Sequence, residues 1–236
     1  MRVKLLPVNK EEIINKIYTA CRTCYTSGSP INMYDNEVSH NVHTEEEKLK
    51  LIKYVLSSGH HSVCEHVQFT FIIEGVSRSL THQLVRHRFA SYSQSSQRYI
   101  EFKDGKFPYV IPNTIKGDNN ARKLFESAME VLSEGYHALT KMGIPAEDAR
   151  ALLPNACCTN ITVSMNIREL MHVCNERLCT CAQEEIRTMV REMVKEVTKE
   201  LPFLKKYLVP KCEMLGYCNE PKRSCGRKKL RSEIIG

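Results

Sequence analysis

The chain has 236 residues, 42% of them hydrophobic and 26% charged, enough to bury a sizeable core in one domain or two closely packed ones. Its net charge of +7 is uneven: residues 210–236 hold seven Lys/Arg against three Asp/Glu, and the rest of the chain holds 27 against 24, a near balance that argues against a nucleic-acid binder. No apolar stretch approaches membrane-spanning length and no signal-peptide core opens the chain, so cytoplasm is expected, with the eleven cysteines read as thiols or metal ligands rather than disulfides.

In chain order, Val3 to Val8 reads as a short strand, and Lys10 to Cys24 as a helix with Ile13, Ile14, Ile17 and Cys21 on one side. Residues Gly28 to His43, polar and containing Gly, Pro and Asn, read as a loop. Thr44 and Glu47 form a capping box for a helix to about Leu56, which Gly59 ends. Val67 to Ile73 alternates as a strand, and Ser77 to Arg88 follows as a helix. Asn119 to Met142 is a long amphipathic helix with Leu124, Ala128, Val131, Leu132 and Leu139 on its apolar side. Pro145 starts a short helix, Cys158 to Met165 is a strand, and helices follow over Ile167 to Arg177 and Cys181 to Leu201. The sum is a mixed α/β (α+β) fold, an antiparallel or mixed sheet flanked by long helices.

Residues Arg86 to Tyr99, RHRFASYSQSSQRY, are the most informative segment. Arginine forks match phosphate and carboxylate, and the serine and glutamine run reads as a loop with accessible amides, so the segment suits an enzyme that joins phosphorylated molecules. Upstream, Gly59 to His66 (GHHSVCEH) gathers imidazoles and carboxylates, but His61 and His66 are five apart and lead into a strand, which is wrong for a helical zinc motif. Gln83 and Arg86 share a helix face at a spacing of three. Downstream, Arg150 precedes Leu-Leu-Pro, Asn166 is a natural N-cap for the helix carrying Arg168 and His172, and Arg177 ends that helix.

This ordered set resembles the flavin-dependent thymidylate synthase family over about residues 1–209, leaving 210–236 as a basic, cysteine-containing tail. The resemblance implies reductive methylation of dUMP to dTMP, with methylenetetrahydrofolate as carbon donor and FAD, reduced by NADPH, as hydride carrier. It implies a homotetramer whose active sites are built from several subunits. It places Gln83, Arg86, Gln94, Ser95, Ser96, Gln97, Arg98, Arg150 and Arg177 on dUMP. Ser62, Arg86, His87, Arg88, Gln94, Asn166, Ile167, Arg168 and His172 fall on FAD, and His60 and Glu65 on the folate and flavin side. Gln94 stands where many relatives have glutamate, and His172 where some have asparagine.

Cys64, Cys179, Cys181 and Ser96 come up as nucleophiles, yet no cysteine falls inside the signature and no Ser-His-Asp arrangement is evident. Arg177 is therefore the expected catalytic group, drawing charge from the pyrimidine, and no metal is expected at the site. The tail cysteines Cys212, Cys218 and Cys225 lack the tight CxxC pairing of strong zinc sites; three thiolates would need a fourth ligand from elsewhere, and a packed or redox-labile tail is expected, with Arg227 to Arg231 a disordered, solvated end. Two other classes stand beside the enzyme: a nucleic-acid module using Arg86, Arg88, Arg98 and the tail, and a zinc hydrolase on His60, His61 and His66.

Overall fold

The computed structural model describes residues 1–102 and 106–234; residues 235 and 236, the last of the tail, lie outside the described residues. In order, the elements are β1 (Arg2–Leu5), α1 (Lys10–Thr23), α2 (Pro30–His40), α3 (Glu45–Ser57), a 3-10 turn over His61–His66, β2 (Gln68–Ser77), α4 (Arg78–Leu84) and β3 (Ala90–Gln94). They continue with α5 (Asn113–Lys116), α6 (Asn119–Lys141), α7 (Ala146–Ala149), β4 (Cys158–Asn166), α8 (Ile167–Arg177), α9 (Glu184–Glu200) and α10 (Lys211–Leu215). The strands form one antiparallel sheet in the order β1-β2-β4-β3, the mixed α+β architecture expected. Among the described residues no helix is long and apolar enough to cross a membrane.

The chain divides into two compact units, Met1–Arg2 with Ile72–Arg86 and Tyr92–Val163, and Val3–Phe71 with His87–Ser91 and Ser164–Gly236. In the first, α6 lays Met129 against Phe107 and Cys157, with Phe125, Leu132 and Leu153 around them. A Cβ on Gly135 would stand 3.1 Å from Leu152 Cδ1, so the backbone comes close there and a side chain would push the neighbour away. Leu124 and Val131, assigned to the apolar side of α6, are instead 74% and 65% exposed.

In the second unit, α1 buries Ile13, Ile14, Ile17 and Cys21 while α3 buries Ile52, Val55 and Leu56, as their periodicity requires. The capping box of Thr44 and Glu47 is formed. The segment expected as a loop contains a helix, α2, capped by Ser29 and started by Pro30. It lacks an apolar stripe because its one buried residue is Glu37, whose carboxylate is 2.7 Å from the buried Lys48 Nζ and 2.5 Å from His43 Nδ1. Lys48 also donates to Asn15 Oδ1 at 2.8 Å. Burial raises the Glu37 pKa, but the hydrogen bonds from Lys48 and His43 outweigh it and hold the carboxyl below its usual range.

The tail is not the disordered end expected. Cys218 donates its N–H to Lys229 C=O at 2.7 Å and accepts from Arg231 N–H at 3.1 Å, which ties the closing residues to the turn before them.

Candidate active site

The signature is half strand. Ala90–Gln94 is β3, and Ser95 N–H continues the pairing to Asn160 C=O at 2.9 Å, so the accessible-amide loop begins only after it. Arg98 N–H turns back to Ser96 Oγ at 3.2 Å and Ile100 N–H to Ser96 C=O at 3.0 Å. Of the amides around Ser96, only those of Ser96 and Gln97 make no such bond among the described residues. Beside the turn, Arg98 Nε donates to Glu147 Oε2 at 3.0 Å, and Arg150 Nε donates to Glu147 C=O at 3.0 Å. The two arginines expected on the phosphate thus meet around one residue, Glu147, which the sequence did not point out. The Arg98–Glu147 pair is half exposed on both sides, so it stabilises little and yields readily to a dianion.

The remaining nucleotide candidates in this unit are placed differently. Gln94 donates its amide to Thr81 Oγ1 at 2.9 Å and Thr159 Oγ1 at 3.3 Å, which fixes it inward. Gln97 reaches Cys157 Sγ at 3.8 Å, and Ser95 C=O accepts from Arg78 Nη2 at 3.4 Å. α4 ends at Leu84, so Gln83 lies in its last turn while Arg86 is exposed in the turn beyond, not on a shared helix face.

In the second unit the central feature is His87, which is 3% exposed. Its side chain lies inside the protein rather than at its surface. Arg177 Nε donates to His87 Nε2 at 3.0 Å, so the ring is neutral with its proton on Nδ1. Burial, helped by the charge of Arg177 and by His172, pushes its pKa from 6.5 down to about 4. Nδ1 faces the buried Glu169 carboxyl at 3.8 Å, too long for a hydrogen bond. Burial raises the Glu169 pKa, and with His87 neutral the contact is not an ion pair. The His172 ring stands 5.5 Å from that of His87, edge to face.

Asn166 caps α8 as expected, accepting Glu169 N–H at 2.8 Å. Ile167 is fully buried and gives its N–H to Val67 C=O at 3.0 Å, so its side chain serves the core. Arg168 Nη1 lies 2.7 Å from His61 Nδ1, and His61 Nε2 donates to Leu56 C=O at 3.1 Å. Burial and the Arg168 charge hold His61 below its ordinary pKa. The Nδ1 nitrogen is thereby given to a cation, which removes the central ligand of a His60–His61–His66 zinc site. His60 and Glu65 are exposed, and Ser62 borders a cavity of about 510 Å³ with Lys16, Tyr34 and His66. The exposed donors Arg88, Arg168 and His172 are the chemistry that the phosphates of a dinucleotide take, and Phe89, next to Arg88 in sequence, is 81% exposed and offers a ring face.

The alternative nucleophiles fare poorly. Cys64 is fully buried and its thiol is pushed up to about 12 by burial, which denies it thiolate character. Ser96 Oγ accepts the Arg98 N–H, and among the described residues no histidine or carboxylate activates it.

The pattern of the "Thymidylate synthase complementing protein" family matches residues 8–203. A flavin-dependent thymidylate synthase of Geobacter sulfurreducens is 43% identical over 208 residues, 88% of this chain and 87% of the relative. One of Nitratidesulfovibrio vulgaris is 42% identical over 242 residues, covering 99% and 97%, so that alignment includes the tail. Among solved structures, the UMP/dUMP methylase PolB of Streptomyces cacaoi, bound with 5-Br dUMP, superposes with a TM-score of 0.71 at 24% identity over 87% of this chain and 93% of that one, a likeness of fold. The chain belongs to the enzyme family of the flavin-dependent thymidylate synthases.

Proposed function

We propose that the protein converts dUMP to dTMP, taking a methylene group from methylenetetrahydrofolate and a hydride that originates in NADPH. In this reading Arg98, Arg150 and the amides of Ser96 and Gln97 bind the dUMP phosphate, while Arg88, Arg168, His172 and Asn166 hold FAD. Bound FAD, reduced by NADPH, supplies the hydride. The protein contributes orientation and charge: the uracil C5–H is exchanged for the methylene carbon and its proton leaves, and the added hydride completes the methyl group.

The observation that carries the reading is Arg177 held at 3.0 Å by a neutral, buried imidazole. The neutral histidine fixes the direction of the guanidinium, and its charge acts on an anionic pyrimidine, stabilising the ring as N3 ionises. Ser96 and the cysteines take no nucleophilic part. The assembly in this reading is a homotetramer, and exposed Leu124 and Val131 on α6 are apolar surface for another copy to cover.

Colour tests the proposal. The purified protein should be yellow, lose its visible absorption when NADPH is added without oxygen, and retain the flavin on gel filtration. A colourless protein that does not retain added FAD overturns it.

A further inference from the structure

Five cysteines line one cavity of about 230 Å³ in the second unit: Cys179 and Cys181 from the segment after α8, and Cys212, Cys218 and Cys225 from the tail. They lie far apart in sequence, and the fold gathers them. Helix α10 packs on α8, Lys211 Nζ comes within 3.9 Å of Glu176, and the pairing of Cys218 with residues 229–231 closes the tail back on itself. This supplies what the Cys-x5-Cys-x6-Cys spacing lacked, a fourth thiol from another part of the chain.

Two further observations bear on these thiols. Glu220 N–H donates to Cys218 Sγ at 3.4 Å, and the Thr180 side chain and the Arg227 backbone hydrogen-bond Cys225. Such bonds are the outer-shell support of ligating thiolates. Around the cavity stand the cations Arg177, Lys211, Arg223, Arg227 and Lys228 against the carboxylates Glu176 and Glu220. That excess of positive charge complements a centre of four thiolates and one divalent ion, which is a dianion.

We propose that Cys179, Cys212, Cys218 and Cys225 form a tetrahedral four-thiolate site for one divalent thiophilic ion, zinc or ferrous iron. Soft sulfur ligands in this number select those ions over magnesium or calcium. Cys181 is left as a supporting thiol, since its Sγ donates to Arg223 C=O at 3.6 Å and it hydrogen-bonds Cys179. Among the described residues no three such groups already stand as a ligand set, so binding turns the thiols inward and releases their four protons to solvent. The ion then pins the segment that directly follows Arg177, fixing the end of α8. Nothing in this proposal depends on the identity of the substrate.

The test is elemental analysis of the full chain purified under reductant and without chelator, together with cobalt(II) titration of metal-free protein. About one zinc or iron per chain is expected, the analysis itself telling which. Cobalt(II) should give intense sulfur-to-metal charge-transfer absorption and the d–d bands of a tetrahedral site. Cys179→Ser, Cys212→Ser, Cys218→Ser and Cys225→Ser should each lower metal content by about tenfold or more, whereas Cys181→Ser and the distant Cys24→Ser retain it. Circular dichroism of each variant separates lost ligation from lost folding, and the cobalt spectrum of the unaltered protein stands independently of any variant. Reduced protein that takes up neither zinc nor cobalt overturns the proposal. So does a pale octahedral cobalt spectrum, or recovery of these cysteines as disulfides from anaerobic cells. Loss of metal from Cys181→Ser with retention in Cys179→Ser overturns the choice of ligand.

Discussion

Replacing His87 with glutamine separates the imidazole's two properties, because glutamine keeps an acceptor for Arg177 but cannot titrate. In the folded protein His87 takes up a proton only near pH 4, and in the unfolded chain near 6.5. Between those values the unfolded state binds a proton that the folded state refuses. Stability therefore falls as pH falls from about 6.5 to about 4 and is flat with respect to this group outside that window. The gap is worth about 3 kcal/mol in full and about 2 kcal/mol by pH 5. His61, also held low, and Glu37, whose stabilising charge is lost in acid, push in the same direction but are unchanged in the variant. Urea unfolding of both proteins at equal flavin loading, from pH 7 to 4.5, should show the unaltered protein losing about 2 kcal/mol more than His87→Gln by pH 5. Parallel pH profiles would refute the argument. An NMR titration placing the His87 midpoint near 6.5 would refute it equally.

Arg177→Ala should keep bound flavin yet lower kcat by about a hundredfold to a thousandfold, the scale of losing one preorganised charge at the reacting centre; single-turnover kinetics after flavin reduction check it. Arg98→Ala removes a charge-assisted bond to the nucleotide phosphate, costing about 1.5–3 kcal/mol, so the apparent dUMP constant rises on the order of tenfold to a hundredfold. Glu147→Gln frees Arg98 from its present partner and should lower that constant a few-fold, with the effect shrinking at high salt. Lys48→Met strands a buried carboxylate and should cost about 3–5 kcal/mol, a fall in Tm of roughly 10 °C by calorimetry.

Helices with both a cap and a stripe were legible in the sequence. Thr44 with Glu47 located α3, Asn166 located α8, and the isoleucines of α1 located its buried side. Helix α2 was hidden because its anchor is an ion pair: Glu37 looks like a solvated residue until Lys48 and His43, outside α2 in sequence, are brought to it. Strand β3 was hidden because its alternation runs through Ala, Ser, Tyr and Gln, exposure alternating without an apolar face, inside a motif that reads as chemistry. The long helix α6 was found but its apolar side was overassigned, since periodicity does not say which residues a single chain covers.

For the site, residue types were legible and their burial was not. The sequence places three basic residues at 86–88 in a row, and only the fold makes the middle one an internal acceptor while its neighbours stay exposed. Ile167, which the resemblance puts on FAD, has a side chain that the fold sets in the core. Glu147 and Glu169 carried no signal, because a carboxylate that orients an arginine or faces a buried histidine is indistinguishable in sequence from a surface one.

The reaction itself is the most direct measurement. Purified protein with FAD, NADPH, dUMP and methylenetetrahydrofolate, held without oxygen, should form dTMP in step with NADPH oxidation, and omission of any one substrate should stop it. NADPH oxidation with dUMP recovered unchanged, or dTMP formed equally well without flavin, would contradict the account.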